Sequence, residues 1–338
     1  MNRLFARPAN FRLASVVVLV ALSLPLMQAA AQQDVPAAPA QNATAAAPST
    51  PVPTTAPIFP TPSPANFTAA SPTKEVVNAF LQTNWGYDEN RVWQVQAILK
   101  TPAEGVSKVI VYVGEKGNKD KTSALQFIVL PDGKHIIAGD DVINFGEHPF
   151  AETRAILQQR ANGPYRGSPA KDLELVEFAD FQCPHCKEAQ ANMEKLVADF
   201  PKARIVLQMD PLESIHPQSA NAAAYALCVN KEGGSNTFFQ FASSVFDGQD
   251  GLATADGATL TLNSAVAKVG LEPAKIAACA ATPEIKAQVK ASEKLAEDLD
   301  VNQVPMLMVN GRAVAANMAY DTLKQIIQYQ AKIDGIAQ

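Results

Sequence analysis

Cysteine and histidine are scarce in this chain, with four of each in 338 residues. Basic residues bring no excess either: 28 Lys and Arg stand against 33 Asp and Glu, a net charge of −5. That balance leaves no electrostatic footprint for nucleic acid or an anionic membrane surface. No basic stretch is interleaved with aromatics, so nucleic acid is set aside as a partner. A membrane-spanning run is missing too. The longest apolar stretch, LASVVVLVALSLPLM, covers about 15 residues and is interrupted by Pro25, short of the roughly 20 that a spanning helix needs.

That stretch follows Arg3, Arg7 and Arg12 and ends in the small residues of QAAAQQ. A basic start, a short apolar segment and an Ala-x-Ala-like end read as a secretory signal peptide over residues 1–31, cleaved near Ala31, rather than as a retained anchor. No cysteine lies near that point to take a lipid. The expected destination is an oxidising compartment, the periplasm, where disulfides persist. Residues 32–72 are dominated by Pro, Ala and Thr, carry little charge and show no apolar period. Such a segment buries too little surface to offset its ordering entropy, so it is expected to be a disordered linker.

Residues 73–160 read as a small α+β domain. Val76, Val77, Phe80 and Leu81 share a helical face. Trp93, Val95 and Ala97 alternate with glutamines as in a half-buried strand. Further β-rich runs surround a Pro-Asp-Gly turn, and a helix closes the unit across PFAETRAILQQ. It has no cysteine, and His135 and His148 stand alone, so binding, spacing or dimerisation is its expected work. Residues 161–170 read as a turn-rich hinge. From 171 to 338 the order is a buried strand (LELVEF), a helix beginning at the first cysteine, a strand (ARIVLQ), a helical block over about 212–300, two strands around Asn310-Gly311, and a last amphipathic helix. That order is a thioredoxin fold of the α/β class with an all-helical insertion, and His216 falls at a turn before the first inserted helix.

Cys183 and Cys186 flank Pro184 and His185 at the strand-to-helix junction. Unpaired N–H groups and the positive end of a helix dipole favour a thiolate on the first cysteine. In such a motif the first sulfur is exposed and attacks, and the second resolves the mixed disulfide. Pro184 suits a first helical turn, where its missing N–H costs nothing. His185 adds a polarisable ring expected to lower the Cys183 pKa further. Structural zinc needs four ligands, usually as two close pairs, and the other two cysteines stand alone. Haem attachment needs a histidine after the second cysteine, where Lys187 stands. A brace across so short a loop stabilises little. Redox exchange is the reading left, with neither metal nor cofactor.

Three further features bear on that chemistry. Pro305, in QVPMLMV, heads a strand; Val304 before it is pushed towards extended geometry. A cis bond there brings backbone beside the cysteines, and an ordinary strand-start proline is the alternative. Glu177 lies on the strand six residues before Cys183. It reads equally as a buried proton relay for Cys186 and as a strand-end carboxylate in solvent. Cys228 and Cys279 fall in separate inserted helices, and a bridge between them closes a loop of about 50 residues, worth roughly 4 kcal/mol. Two free buried thiols or a second redox pair are the alternatives.

Together EFADFQCPHC, the helical block and VPMLMVNG resemble the DsbA family of exported thiol-disulfide oxidoreductases, over roughly Asp172 to Gln338. Cys-Pro-His-Cys is the motif of that family's strongly oxidising members. The resemblance implies that Val304 and Pro305 form a cis-proline loop binding the client peptide, and that Glu177 has a role in exchange. It also implies that Cys228 and Cys279 form the extra bridge of some members. The implied partners are reduced or misoxidised exported proteins and a quinone-linked membrane reoxidase of the DsbB or VKOR type. The first domain departs from that pattern. Its LPDGKHIIAGDDVIN loosely resembles the N-terminal domain through which DsbC- and DsbG-type isomerases dimerise, which implies a homodimeric isomerase or reductase as the second reading. A chaperone-like tethering module is the third.

Overall fold

The computed structural model describes residues 58–336. The expected signal peptide, and the linker as far as residue 57, lie outside the described residues. Two five-stranded sheets organise the rest.

The first sheet is an antiparallel meander of β1 (Arg91–Lys100), β2 (Ser107–Glu115), β3 (Asn118–Val129), β4 (His135–Ala138) and β5 (Asp141–Asn144). One face is covered by α1 (Lys74–Trp85), whose N-cap Thr73 accepts from the Val76 N–H. Val77, Phe80 and Leu81 of α1 are buried against Val95, Ile98, Val109, Val111 and Phe127. The alternation expected in β1 breaks where a bulge between Val95 and Ala97 shifts the register. The bulge turns Gln96 inward, and its amide donates to the Pro60 carbonyl.

Against the expectation that residues 32–72 form a disordered linker, residues 58–72 belong to the first domain. Phe59 is buried, Phe67 bridges to Ile98, and the Thr68 and Ala69 N–H groups both donate to the Ile98 carbonyl. Two aromatics in a proline-rich stretch supply the apolar area that composition averaged away.

The second sheet runs β10 (Arg312–Ala315), β9 (Met306–Val309), β7 (Glu174–Ala179), β8 (Arg204–Met209), β6 (Tyr165–Gly167). β7 and β8 are parallel, and β9 is antiparallel to β7. As the central strand, β7 is buried along its whole length, its carboxyls Glu174 and Glu177 included. On one face lie α3 (Pro184–Asp199) and α8 (Tyr320–Ile333), joining Met193, Leu196, Leu323 and Ile327 to Leu175 and Val309. On the other lie α2 (Ala151–Arg160) and α7 (Pro283–Asp298), with Leu157 and Leu295 against Phe178, Val206 and Met308.

Two boundaries move accordingly. α2, read from sequence as the close of the first domain, buries Leu157 in the core of the second. The expected hinge at 161–170 carries β6, antiparallel to β8, with the Arg204 guanidinium stacked 3.5 Å from the Tyr165 ring centroid. The helical block comprises α4 (Ser219–Asp247), α5 (Ala255–Lys268), α6 (Pro273–Ala280) and α7. α4 breaks at Gly234, whose φ of 76° suits glycine.

The two domains meet where the β9–β10 turn abuts α1 and α2. Arg312 is buried, donates to the carbonyls of Thr83 (3.2 Å) and Asn84, and lies over the Tyr87 and Phe150 rings. Gly311 in that turn has φ 91°, and a Cβ there would sit 2.4 Å from the Phe150 carbonyl oxygen. Among the described residues no helix is long and apolar enough to cross a membrane.

Candidate active site

Chain direction creates the site. β7 ends at Ala179, the loop Asp180–Gln182 turns, and Cys183 becomes the N-cap of α3 with Pro184 in the first turn. The Cys186 and Lys187 N–H groups donate to the Cys183 carbonyl, at 3.1 and 3.3 Å. Cys183 and Cys186 are both free thiols, Cys183 just reaching the surface at 6% exposure and Cys186 fully buried.

The two sulfurs are made unlike by their surroundings. A hydrogen bond from the Cys186 thiol, then the backbone N–H groups of Cys186 and His185, hold the Cys183 pKa down to about 6 against burial and the Asp180 charge. The same bond, followed by burial, pushes the Cys186 thiol up, although the Asp180 N–H donates to its Sγ at 3.4 Å. His185 assists Cys183 through its main-chain N–H, and its ring and the Cys183 charge interact as well. The imidazole is exposed and turned to Glu188, with Nδ1 2.9 Å from Oε2, and that carboxylate raises its pKa.

Glu177 faces inward from the middle of β7, paired in register with Leu207 and Leu307. Burial pushes its pKa up to about 8, with Gln190 and the Arg166 charge opposing. The Gln190 amide donates both to Glu177 Oε1 and to the Cys186 carbonyl, each at 3.1 Å, so it ties the carboxyl to the second cysteine. From the far end of the chain, the Val304–Pro305 bond is cis and the Val304 carbonyl accepts from the Cys183 thiol at 3.7 Å. Cys183, Cys186, Val304 and Pro305 thus meet beyond the end of β7, with Glu177 further along the strand and joined to Cys186 through Gln190.

A family model described as Thioredoxin matches residues 159–329. The chain belongs to the thioredoxin family.

Outside that span lies the first sheet, so the expected isomerase-like dimerisation domain gains no counterpart from it. Among curated relatives, a Na(+)/H(+) antiporter NhaA 3 of Salinispora tropica is 32% identical over 91 residues, covering 27% of this chain and 14% of that protein. The chain spans less than a quarter of the length of the curated relatives it matches. Among solved structures, the catalytic domain of Proteus mirabilis ScsC is similar at TM-score 0.46 and 20% identity, covering 54% of this chain and 99% of that one. A thioredoxin-like oxidoreductase from Silicibacter pomeroyi is similar at 0.45 and 25%, covering 53% and 98%.

Within the thioredoxin domain, Cys228 of α4 and Cys279 of α6 form a disulfide spanning 51 residues, with Cα atoms 6.0 Å apart. The thioredoxin site also holds residues that sequence reading passed over. Gln249 donates to the carbonyls of Phe181 (2.7 Å) and Cys183 (2.9 Å), and Gln182 donates to the Leu252 carbonyl at 3.0 Å. Asp180 is fully buried and bonded to His216. The one charged residue in the short loop before the cysteines was the available signal for Asp180; for Gln249 there was none. Among the described residues no cluster of three or more His, Cys, Asp or Glu could hold a metal.

Proposed function

We propose that this thiol-disulfide oxidoreductase introduces disulfides into exported proteins through Cys183 and Cys186. One observation carries the reading: an acidified Cys183 thiol at a helix N-terminus, within 3.7 Å of the carbonyl before a cis-proline. Export is supported by the signal-like N-terminus and by the Cys228–Cys279 bridge, a bond that persists in oxidising compartments.

In the oxidised protein a client thiolate attacks Cys183 Sγ. The Cys183–Cys186 bond breaks, a mixed disulfide forms at Cys183, and Cys186 leaves as a thiolate. Because burial disfavours that charge, Cys186 takes a proton, and Glu177, a neutral acid below pH about 8, is the adjacent donor. The client's second thiolate then attacks its own sulfur of the mixed disulfide and expels Cys183 as a thiolate. The client leaves oxidised and the enzyme reduced by two electrons. Val304 and Pro305 present backbone to the client peptide beside Cys183. A quinone-linked membrane partner of the DsbB or VKOR type restores the disulfide.

Thiolate stability sets direction. A Cys183 pKa near 6 in place of the usual 8.5 stabilises the reduced form at pH 7 by about tenfold, or about 30 mV. The test is the equilibrium of the full chain with glutathione, together with Cys183→Ser. An oxidising potential and a variant dead in dithiol oxidation are expected. A reducing potential with a dimer that reshuffles scrambled substrates would replace this reading with an isomerase. A double cysteine variant retaining all function would replace it with a chaperone.

A further inference from the structure

Asp180 takes no part in the exchange steps, yet it is bonded to both cysteines and to the loop before the helical insertion. Its main chain serves both cysteines: its carbonyl accepts from the Cys183 N–H at 3.1 Å, and its N–H donates to Cys186 Sγ at 3.4 Å. Its carboxylate is fully buried and bonded on both oxygens. Oδ1 accepts from the Gln182 N–H at 2.7 Å; Oδ2 accepts from the Leu212 N–H at 2.8 Å and lies 2.8 Å from His216 Nδ1. All three groups around the carboxylate are able to donate to it. A buried anion beside an attacking sulfur is costly to keep, and a neutral residue could cap the same loop.

The remaining charges near the pair come from two elements. In the loop after β8, Asp210 is buried, and burial with the Asp180 and Glu293 charges raises its pKa to about 7. On α7, Lys290 pairs with Glu293 (2.7 Å) and reaches across to Glu213 in that loop (2.5 Å). His216 is the only side chain hydrogen-bonded to the Asp180 carboxylate among the described residues, and its side chain is 16% exposed. Among the influences on Cys183, the Asp180 charge opposes the thiolate.

We propose that Asp180 is a positioning residue whose fixed negative charge limits stabilisation of the Cys183 thiolate, and that His216 acts through Asp180 by partly neutralising that charge. This rests on Cys183 and Cys186 being the reacting dithiol. The helical insertion thereby sets the oxidising strength of a pair it does not itself carry, because His216 stands in the loop that leads into it.

The test measures the glutathione equilibrium and the thiolate absorbance titration of the full chain. Asp180→Asn keeps shape and most hydrogen bonding while removing the charge. It is expected to lower the Cys183 midpoint and move the equilibrium towards the reduced protein by about threefold, close to 15 mV. His216→Ala leaves the carboxylate with two partners in place of three and moves both readings the opposite way by a smaller factor, about twofold. In the Asp180→Asn background the His216→Ala effect vanishes. Loss of thermal stability with both readings unmoved would make Asp180 a brace and overturn the proposal. A His216→Ala shift that persists without the Asp180 charge would overturn its second half. If Asp180→Asn does not fold, His216→Ala alone decides: an unmoved midpoint refutes the coupling. A Cys183→Ser protein still active in exchange would instead remove the dithiol reading, whatever Asp180 does.

Discussion

Replacing Glu177 by Gln isolates one buried acid. The carboxyl is 2% exposed on the central strand, and burial lifts its pKa from about 4.5 to about 8. Between those values the folded protein holds a proton that the unfolded chain has released. Stability from this group is therefore complete below pH about 4.5 and falls as pH rises towards 8. Linkage makes the loss about 3 kcal/mol at pH 7. Gln is neutral throughout and still accepts from Gln190, so the variant escapes that loss and is expected to be more stable than the parent by about this amount at pH 7, with little difference at pH 4. The assay is urea unfolding of the oxidised protein, in which Cys183 does not titrate. Oxidation removes the Cys186 thiol that interacts with Glu177 and leaves burial, Gln190 and Arg166, so the argument stands in that form. Activity should move the other way. Without the acid, proton delivery to Cys186 slows, and mixed-disulfide formation below pH 8 should fall by about tenfold to a hundredfold. Identical pH dependence of stability in parent and variant would refute the reasoning, because a solvated carboxyl would behave that way.

Titration of Cys183 by thiolate absorbance should give a midpoint near 6, about 2.5 pH units below an ordinary thiol. Asp210→Asn should remove a second loss of stability on raising pH, between about 4 and 7, visible as a flatter unfolding profile. Changing Cys228 and Cys279 together to Ala should cost about 4 kcal/mol of unfolding free energy and leave the glutathione equilibrium unchanged. Arg312→Ala removes two charge-assisted bonds to α1 carbonyls, and calorimetry should show a loss of about 3 kcal/mol.

What could be read from sequence was whatever depends on periodicity or on a short motif. The α1 face of Val77, Phe80 and Leu81, the cysteine helix and the Asn310-Gly311 turn all follow from neighbours in the chain. What escaped depends on partners far away. Gln96 is inside only because a bulge turns it towards Pro60. α2 looks like the end of one domain and is buried in the next, because Leu157 finds its neighbours at Phe178 and Leu295. Phe59 and Phe67 sit in a stretch whose composition denotes disorder, yet two aromatics suffice to anchor it. At the site, the cysteines and the proline were legible as types. The Asp180 bonds were not, since Leu212 and His216 lie more than 30 residues on. The His185 ring was assigned a place beside the sulfurs, but Glu188 one turn along competes for it.

Arg312 has a bearing on modularity. Its guanidinium belongs to the thioredoxin sheet, but the carbonyls it serves belong to α1, the helix that packs on the first sheet. Separating the domains in the loop before α2 strands a buried cation on one side and bare helix-terminal carbonyls on the other. Neither fragment is a finished surface. The first domain is therefore a fixture rather than an accessory, and a catalytic fragment made for study needs a polar, shorter residue at 312 before it behaves as a free-standing domain.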